Sequence, residues 1–241
     1  MKKLLIILSV FILSSGISGN AQSVKSILKK HYAAIGQSRI NQAEGAVMKG
    51  VINQMGMELP FAMYYKKTGK VRFEASFQEM KIIQAYDGKI GWMINPMSGP
   101  SPSDMGVSET KAVKDMGEFE GRLYNWKKKN YKVTYEGDED YNGVKVHKIK
   151  LVTPDEVTEV YYINSNSFLV EKIDSKAKMQ GLNVESTKTV SDYRTIDGSL
   201  MPFKMEISMD GQSNVVMDIT SFEFKKASEI EDSLFTKPVT Q

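Results

Sequence analysis

The sequence predicts a mainly β fold of the α+β kind: one curved antiparallel sheet forming an incomplete barrel, covered by a few short helices. Three observations predict it. Beyond Glu44 most segments alternate apolar and polar residues with a period of two, the mark of strands with one apolar face. Turn dipeptides punctuate them at Asp87-Gly88, Asn142-Gly143, Asp197-Gly198 and Asp210-Gly211, each supplying the positive φ that a tight hairpin needs. Helical spacing is confined to two stretches, one before the strands and one interrupting them.

The chain opens with MKKLLIILSVFILSSGISGNAQ. Lys2 and Lys3 precede an apolar run from Leu4 to Leu13 broken only by Ser9, and Gly19 and Ala21 are small residues at −3 and −1 of a cleavage site before Gln22. This is the pattern of a cleavable export signal over residues 1–21, with cleavage between Ala21 and Gln22. The run is too short to span a bilayer, which takes about 20 residues. Residues 22–241 are then expected to form a single periplasmic domain.

Val24, Ile27, Leu28, His31, Tyr32 and Ile35 fall on one face of a helix, with Ser23 placed to cap its start and Gly36 its end. Strands follow. Leu59, Phe61, Met63 and Tyr65 alternate with Pro60, Ala62 and Tyr64; Val71, Phe73, Ala75 and Phe77 alternate with Arg72, Glu74 and Ser76. Met201, Phe203, Met205, Ile207 and Met209 do the same with their polar neighbours. Further strands are expected at 47–53, 80–86, 90–95, 131–136, 144–152, 157–163, 168–176, 184–194 and 214–224, about eleven or twelve in all. The stretch from Asn95-Pro96 to Asp104, rich in Pro, Ser and Gly, reads as a loop. After it Val113, Met116, Leu123 and Tyr124 recur at helical spacing near Phe119, but Gly117 and Gly121 weaken the middle, so one broken helix or two short ones are expected.

Composition excludes much. The 241 residues contain no cysteine, which removes disulfides, thiolate metal sites and a catalytic thiol. Two histidines, His31 and His147, leave no basis for a histidine metal site or triad. The net charge of +3 includes Lys2 and Lys3; residues 22–241 carry 30 basic against 29 acidic residues. Near-neutrality argues against nucleic-acid binding, which needs a concentrated basic field. The run Glu136-Gly137-Asp138-Glu139-Asp140 lacks the spacing of a calcium loop and reads as a solvated turn. Lys127, Lys128 and Lys129 read as a charged helix end. No GxSxG, P-loop, GxGxxG or HExxH motif occurs, so no enzyme, cofactor or metal is expected.

A long meander must curl or close. Two or three short helices over it make a lidded cup, and such a cup can hold an apolar ligand. The alternating faces nominate Phe61, Met63, Phe73 and Phe77 as its lining, with Ile82, Trp92 and Ile94 from the next strands. Met201, Phe203, Met205, Ile207 and Met217 complete the wall, and Met116 and Phe119 close it from the helical stretch. The 15 methionines suit an adaptable apolar pocket, though a dry core would use the same residues.

Four segments resemble the periplasmic outer-membrane lipoprotein-sorting proteins, the LolA-like family. ILKKHYAAIGQSRINQAEGAVMKGVI is similar to the opening helix and first strand, and YDGKIGWMINPM (86–97) to a later turn and strand. FEGRLYNWKKKNYKVTYEGDEDYNGVKVHKIKL (119–151) resembles the lid helix and following hairpin, and YYINSNSFLVEKID (161–174) the next one. The resemblance implies an eleven-stranded incomplete barrel with a helical lid, whose concave face carries lipoprotein acyl chains across the periplasm. It also implies a monomer, an inner-membrane complex that releases cargo and an outer-membrane acceptor. An Arg latches the lid in proteobacterial members; here Lys66-Lys67-Thr68 occupies that place, which nominates Lys67 without the planar fork of Arg. A lipid sensor on the same scaffold that signals through a membrane protein, and an envelope interaction protein with a filled core, are the alternatives.

Overall fold

The expected alternation becomes thirteen strands of one sheet in a computed structural model that describes residues 18–179, 182–209 and 213–239, with only the backbone described for 18–23, 179 and 213. The chain begins with helix α1 (Ser18–Ala34) and the short α2 (Gln37–Gln42). Six strands follow: β1 (Gly45–Gln54), β2 (Met57–Lys66), β3 (Lys70–Phe77), β4 (Met80–Tyr86), β5 (Gly91–Asn95) and β6 (Gly99–Asp104). Helix α3 (Val107–Met116) and a series of turns lead to β7 (Lys132–Tyr141), β8 (Val144–Val152), β9 (Thr158–Asn164), β10 (Val170–Met179), β11 (Leu182–Ile196), β12 (Ser199–Met209) and β13 (Ser213–Lys225).

The spatial order is β6-β5-β4-β3-β2-β1-β13-β12-β11-β10-β9-β8-β7. Every pairing is antiparallel. Two meanders, β1–β6 and β7–β13, therefore meet at a seam where β1 pairs with β13. The curved sheet does not close, and β6 and β7 are its two edges. Gly50 sits at the bulge of this seam because a Cβ there would strike the Asp218 carbonyl and the Phe61 ring.

Several expectations need correction. Glu136 to Asp140, expected as a turn, lie within β7, and Lys127 to Lys129, expected at a helix end, lie in the turns after α3. The segment expected as a loop before α3 contains β6, which pairs with β5 and brings the strands to thirteen. Pro100 and Pro102 lack N–H donors, and an edge strand tolerates that because only one side is paired. Ser23 lies inside α1, which starts at Ser18, and so is not its cap. The second helical stretch is one helix, α3, followed by turns, with Gly121, Asn125 and Asn130 all at positive φ.

Residues 1–17 of the expected export signal lie outside the described residues, as does the Asp210-Gly211 turn. Ala21 and Gln22 fall in the opening turns of α1, ahead of its buried face, which begins at Val24. The Asn142-Gly143 and Asp197-Gly198 hairpins have both residues at positive φ, and so does Met55-Gly56 between β1 and β2.

The sheet's inner face carries the main core. Val24, Ile27 and Leu28 of α1 pack on Ile149, Leu151, Tyr161, Ile163, Val170 and Val190. Beside them Ala46, Met48, Phe61, Met63, Phe203, Ile219 and Phe222 form a second cluster. The C-terminal segment covers part of the outer face. From Ile230 to Lys237 it crosses β1 to β6 in turn. Ile230 abuts Gly45, Asp232 accepts from Lys66 and Lys70 at 2.9 Å each, and the Leu234 carbonyl accepts from Arg72 at 2.7 Å. The Phe235 carbonyl accepts from Trp92 Nε1 at 2.6 Å, and Lys237 reaches Asp104 at 2.9 Å.

Candidate ligand-binding site

Register assigns each nominated residue to a face. Phe61 opposes Ala75, Met63 opposes Phe73, Ala75 opposes Ile82 and Gln84 opposes Met93, so these side chains share the inner face. Across the seam Met217 opposes Ile52 and Met205, and Ile207 opposes Val215. Phe77 continues the inner row of β3. Trp92 and Ile94 lie on the outer face: Trp92 opposes Ala85 and Ile94 opposes Ile83, and the four cluster there. Their strand has five residues with Trp92, Met93 and Ile94 consecutive, so alternation could not tell its faces apart. Trp92 is fully buried under Phe235 and acts in packing the strap, not in lining the cup.

The inner face divides into a packed base and an open mouth. At the base Phe61, Met63 and Phe203 are buried, and Phe119 of the lid stacks on Phe222 with centroids 6.4 Å apart and meets Tyr65 at a tilt at 5.6 Å. Phe73 and Ile82, level with Met63 and Phe61 in the register, are half-buried at the base, and towards the other end Leu59, Phe77, Ile207 and Met217 are half-buried too. Met201 and Met205 are half-buried beside the base cluster. The hairpin tips at the mouth expose Met55, Met97, Leu182 and Met209. Three of those at the base end are polar: Lys67-Thr68-Gly69, Asn142-Gly143 and Asp197-Gly198.

The lid runs from Met105 to Tyr131. Val113 of α3 packs on Val71, Tyr86 and Met105, and Leu123 joins the core under α1. Tyr32 donates to the Leu123 carbonyl at 2.5 Å and meets Tyr124 edge-on, and Gln37 donates to the Glu120 carbonyl at 3.0 Å. Burial pushes the Tyr32 phenol up to about 12, so it remains a donor.

Between lid and strands lies a cavity of about 990 Å³. Tyr32 and Ile35 border it from the helices, Met116 and Arg122 from the lid, and Tyr161, Ile173, Ala177 and Lys188 from the sheet. Arg122 is the main polar tie across it. It donates to Glu159 of β9 at 2.7 Å and to Asp115 of α3 at 3.0 Å, with Glu118 at 3.9 Å. Burial alone would lower its pKa, but Glu159, Asp115 and Glu118 more than reverse this and hold the guanidinium charged. Tyr161 donates to the second Glu159 oxygen at 2.6 Å, and Lys111 bridges Asp115 and Asp155. Lys67 donates to the Asn41 carbonyl and lies 3.9 Å from Glu120 of the lid, half-exposed.

Sequence reasoning missed Arg122, Glu159 and Lys188. Arg122 stands inside the FEGRLYNW segment that resembles a lid, which was the available signal. Its partner is 37 residues away, beyond local pattern. Among the described residues no group of three His, Asp or Glu is placed to hold a metal ion.

Thus the molecule is an open, curved antiparallel sheet with an apolar concave face, a lid tied by Arg122 and a cavity beneath it. Similar architecture occurs in solved structures. The fold is LolA-like. A LolA superfamily protein from Nitrosomonas europaea superposes with a TM-score of 0.60 at 13% identity, covering 89% of this chain and 97% of that one. A domain described as an outer membrane lipoprotein-sorting protein from Vibrio parahaemolyticus gives 0.56 at 10% identity, covering 88% and 97%. A DUF1329 family protein from Desulfovibrio piger gives 0.55 at 13%, covering 87% and 97%. At these identities the likeness is one of fold. No sequence-family model and no curated protein sequence matches the chain.

Proposed function

We propose that this protein binds the acyl chains of lipoproteins or lipids on its inner face and carries them through the periplasm towards the outer membrane. The observation that carries the reading is the mouth. Apolar side chains continue past the packed base as a half-buried surface from Leu59 and Phe77 to Met217 and Ile207. A folding core would bury those residues; a ligand site keeps them reachable. The exposed tips Met55, Met97, Leu182 and Met209 stand at the same end, where chains would enter from a membrane. The sorting description of the Vibrio domain agrees with a cargo role. No described helix is long and apolar enough to cross a membrane.

Burying a chain yields about 0.8 kcal/mol per CH₂. Two or three chains would bind too tightly for easy transfer, so opening the lid must offset part of that gain. The Arg122 tie supplies such a cost without covalent chemistry.

The purified protein should carry copurifying lipid by native mass spectrometry, take up a fluorescent fatty acid, and donate it to acceptor vesicles. Phe77→Glu should abolish uptake with the fold intact, since Phe77 is half-buried and lies outside the base cluster. Protein that is reproducibly empty and takes up no fatty acid would sink the reading; uptake without donation would remove the transfer step.

A further inference from the structure

One cation of the inner face is unaccounted for. β11 presents Val184, Ser186, Lys188 and Val190 inward, while Glu185, Thr187 and Thr189 point outward. Pairing register extends the row of Lys188 across five other strands: Ile149, Tyr161, Ile173, then Lys188, then Ile207 and Val215. Lys188 is the one charged residue in that row. It lines the cavity, and among the described residues it forms no hydrogen bond or ion pair.

Its neighbours explain why. Of the carboxylates that border the cavity Glu159 is the one that favours its charge, yet both Glu159 oxygens are engaged, one by Arg122 at 2.7 Å and one by the Tyr161 hydroxyl at 2.6 Å. Arg122 opposes Glu159 in its effect on the amine. The other cations of the wall differ: Lys111 is held by Asp115 and Asp155, and Lys178 is exposed. An ammonium among apolar side chains is costly unless an anion meets it. Burial accordingly lowers the pKa of Lys188, with Glu159 opposing that shift and Arg122 adding to it.

We propose that Lys188 anchors the headgroup of the ligand, so that the cavity takes an anionic amphiphile, its carboxylate or phosphate on the Lys188 amine and its chain along the apolar inner face. The proposal rests on the acyl-binding reading and narrows it. Ile173 and Ile207 flank the amine and direct the first methylenes of a chain into the row on either side. The half-buried Met205, Met217 and Phe73 then take its length. A charge-assisted hydrogen bond made in this setting is worth about ten- to a hundredfold in affinity.

Three probes of equal chain length test it on the purified protein: palmitate, hexadecyl phosphate and hexadecanol. The wild type should bind at least one anion about tenfold or more tightly than the alcohol, and the stronger of the two identifies the headgroup class. Lys188→Met should erase that preference while still binding hexadecanol, which also reports that the variant is folded. Lys188→Arg should keep it. If the Met variant binds no probe, Lys188→Gln carries the same comparison. A wild type that binds all three probes alike, or a preference that survives Lys188→Met, overturns the anchor and leaves the acyl-binding reading standing. A wild type that binds none of the three overturns both.

Discussion

The base and the mouth of the inner face are made of the same residue types but are packed differently. At the base Phe61, Met63, Phe203 and Phe222 are buried against one another and against Phe119 of the lid. At the mouth Leu59, Phe77, Ile207 and Met217 are as apolar and stay half-buried. The difference teaches that apolar alternation specifies a face, whereas helices and lid decide how much of that face becomes core. The base has Phe119 of the lid over it and borders the cluster that α1 covers; the mouth is bordered by exposed hairpin tips.

Truncation should separate the two regions most sharply. Phe61→Ala at the base should cost about 3–5 kcal/mol in urea unfolding. Met217→Ala at the mouth should cost about 1 kcal/mol or less while reducing fatty-acid uptake. Equal stability losses would mean that the mouth is core after all.

The lid tie comes next. Arg122→Met leaves Glu159 without its cation and Asp115 with Lys111 alone, in a setting where the Arg side chain is 14% exposed, and should cost about 1–3 kcal/mol. Amide exchange over residues 117–130 should quicken more than exchange in β12 or β13. Lys67→Ala, which removes a half-exposed contact 3.9 Å from Glu120, should change lid exchange by well under that amount. A larger effect at Lys67 than at Arg122 would move the latch to the position that resemblance nominated.

The smallest effect is a pH dependence of the base. His31 is buried with its Nδ1 2.8 Å from the Phe168 carbonyl, and burial lowers its pKa below 6.5, the hydrogen bond opposing. The native state then binds fewer protons than the unfolded chain. Its stability contribution is full above pH 6.5 and is lost as pH falls towards the native pKa. Urea midpoints should drop between about pH 8 and about pH 5.5, and less so in His31→Gln. An identical drop in the variant would assign the acid sensitivity elsewhere.

Much of this architecture was readable from local pattern, because alternation is a local consequence of the pleat. Segments 57–66, 70–77 and 199–209 announce both strand and inner face, and the face of α1 from Val24 to Ile35 announces its burial. What escaped has physical reasons. β6 hides behind Pro100 and Pro102, which an edge allows. Trp92 is apolar on a strand that is apolar on both sides, and its cover, Phe235, is 143 residues away. Arg122 and Lys188 gain meaning only from what lies across the cavity, which spacing along the chain does not encode.

The seam between β1 and β13 bears on how the molecule is made. Other strand pairings join consecutive hairpins or short connections, so each wing can zip locally. The seam joins Gly45 to Lys225 and Gln54 to Val215, near the middle of the sheet's width. Closing it demands the largest loop in the chain, and non-local pairings are slow to form. Until then β1 and β13 would each present a bare edge of unpaired backbone. The last step of folding therefore falls at the centre of the cup, and the time spent before that step sets the interval in which two unfinished chains could pair edge to edge.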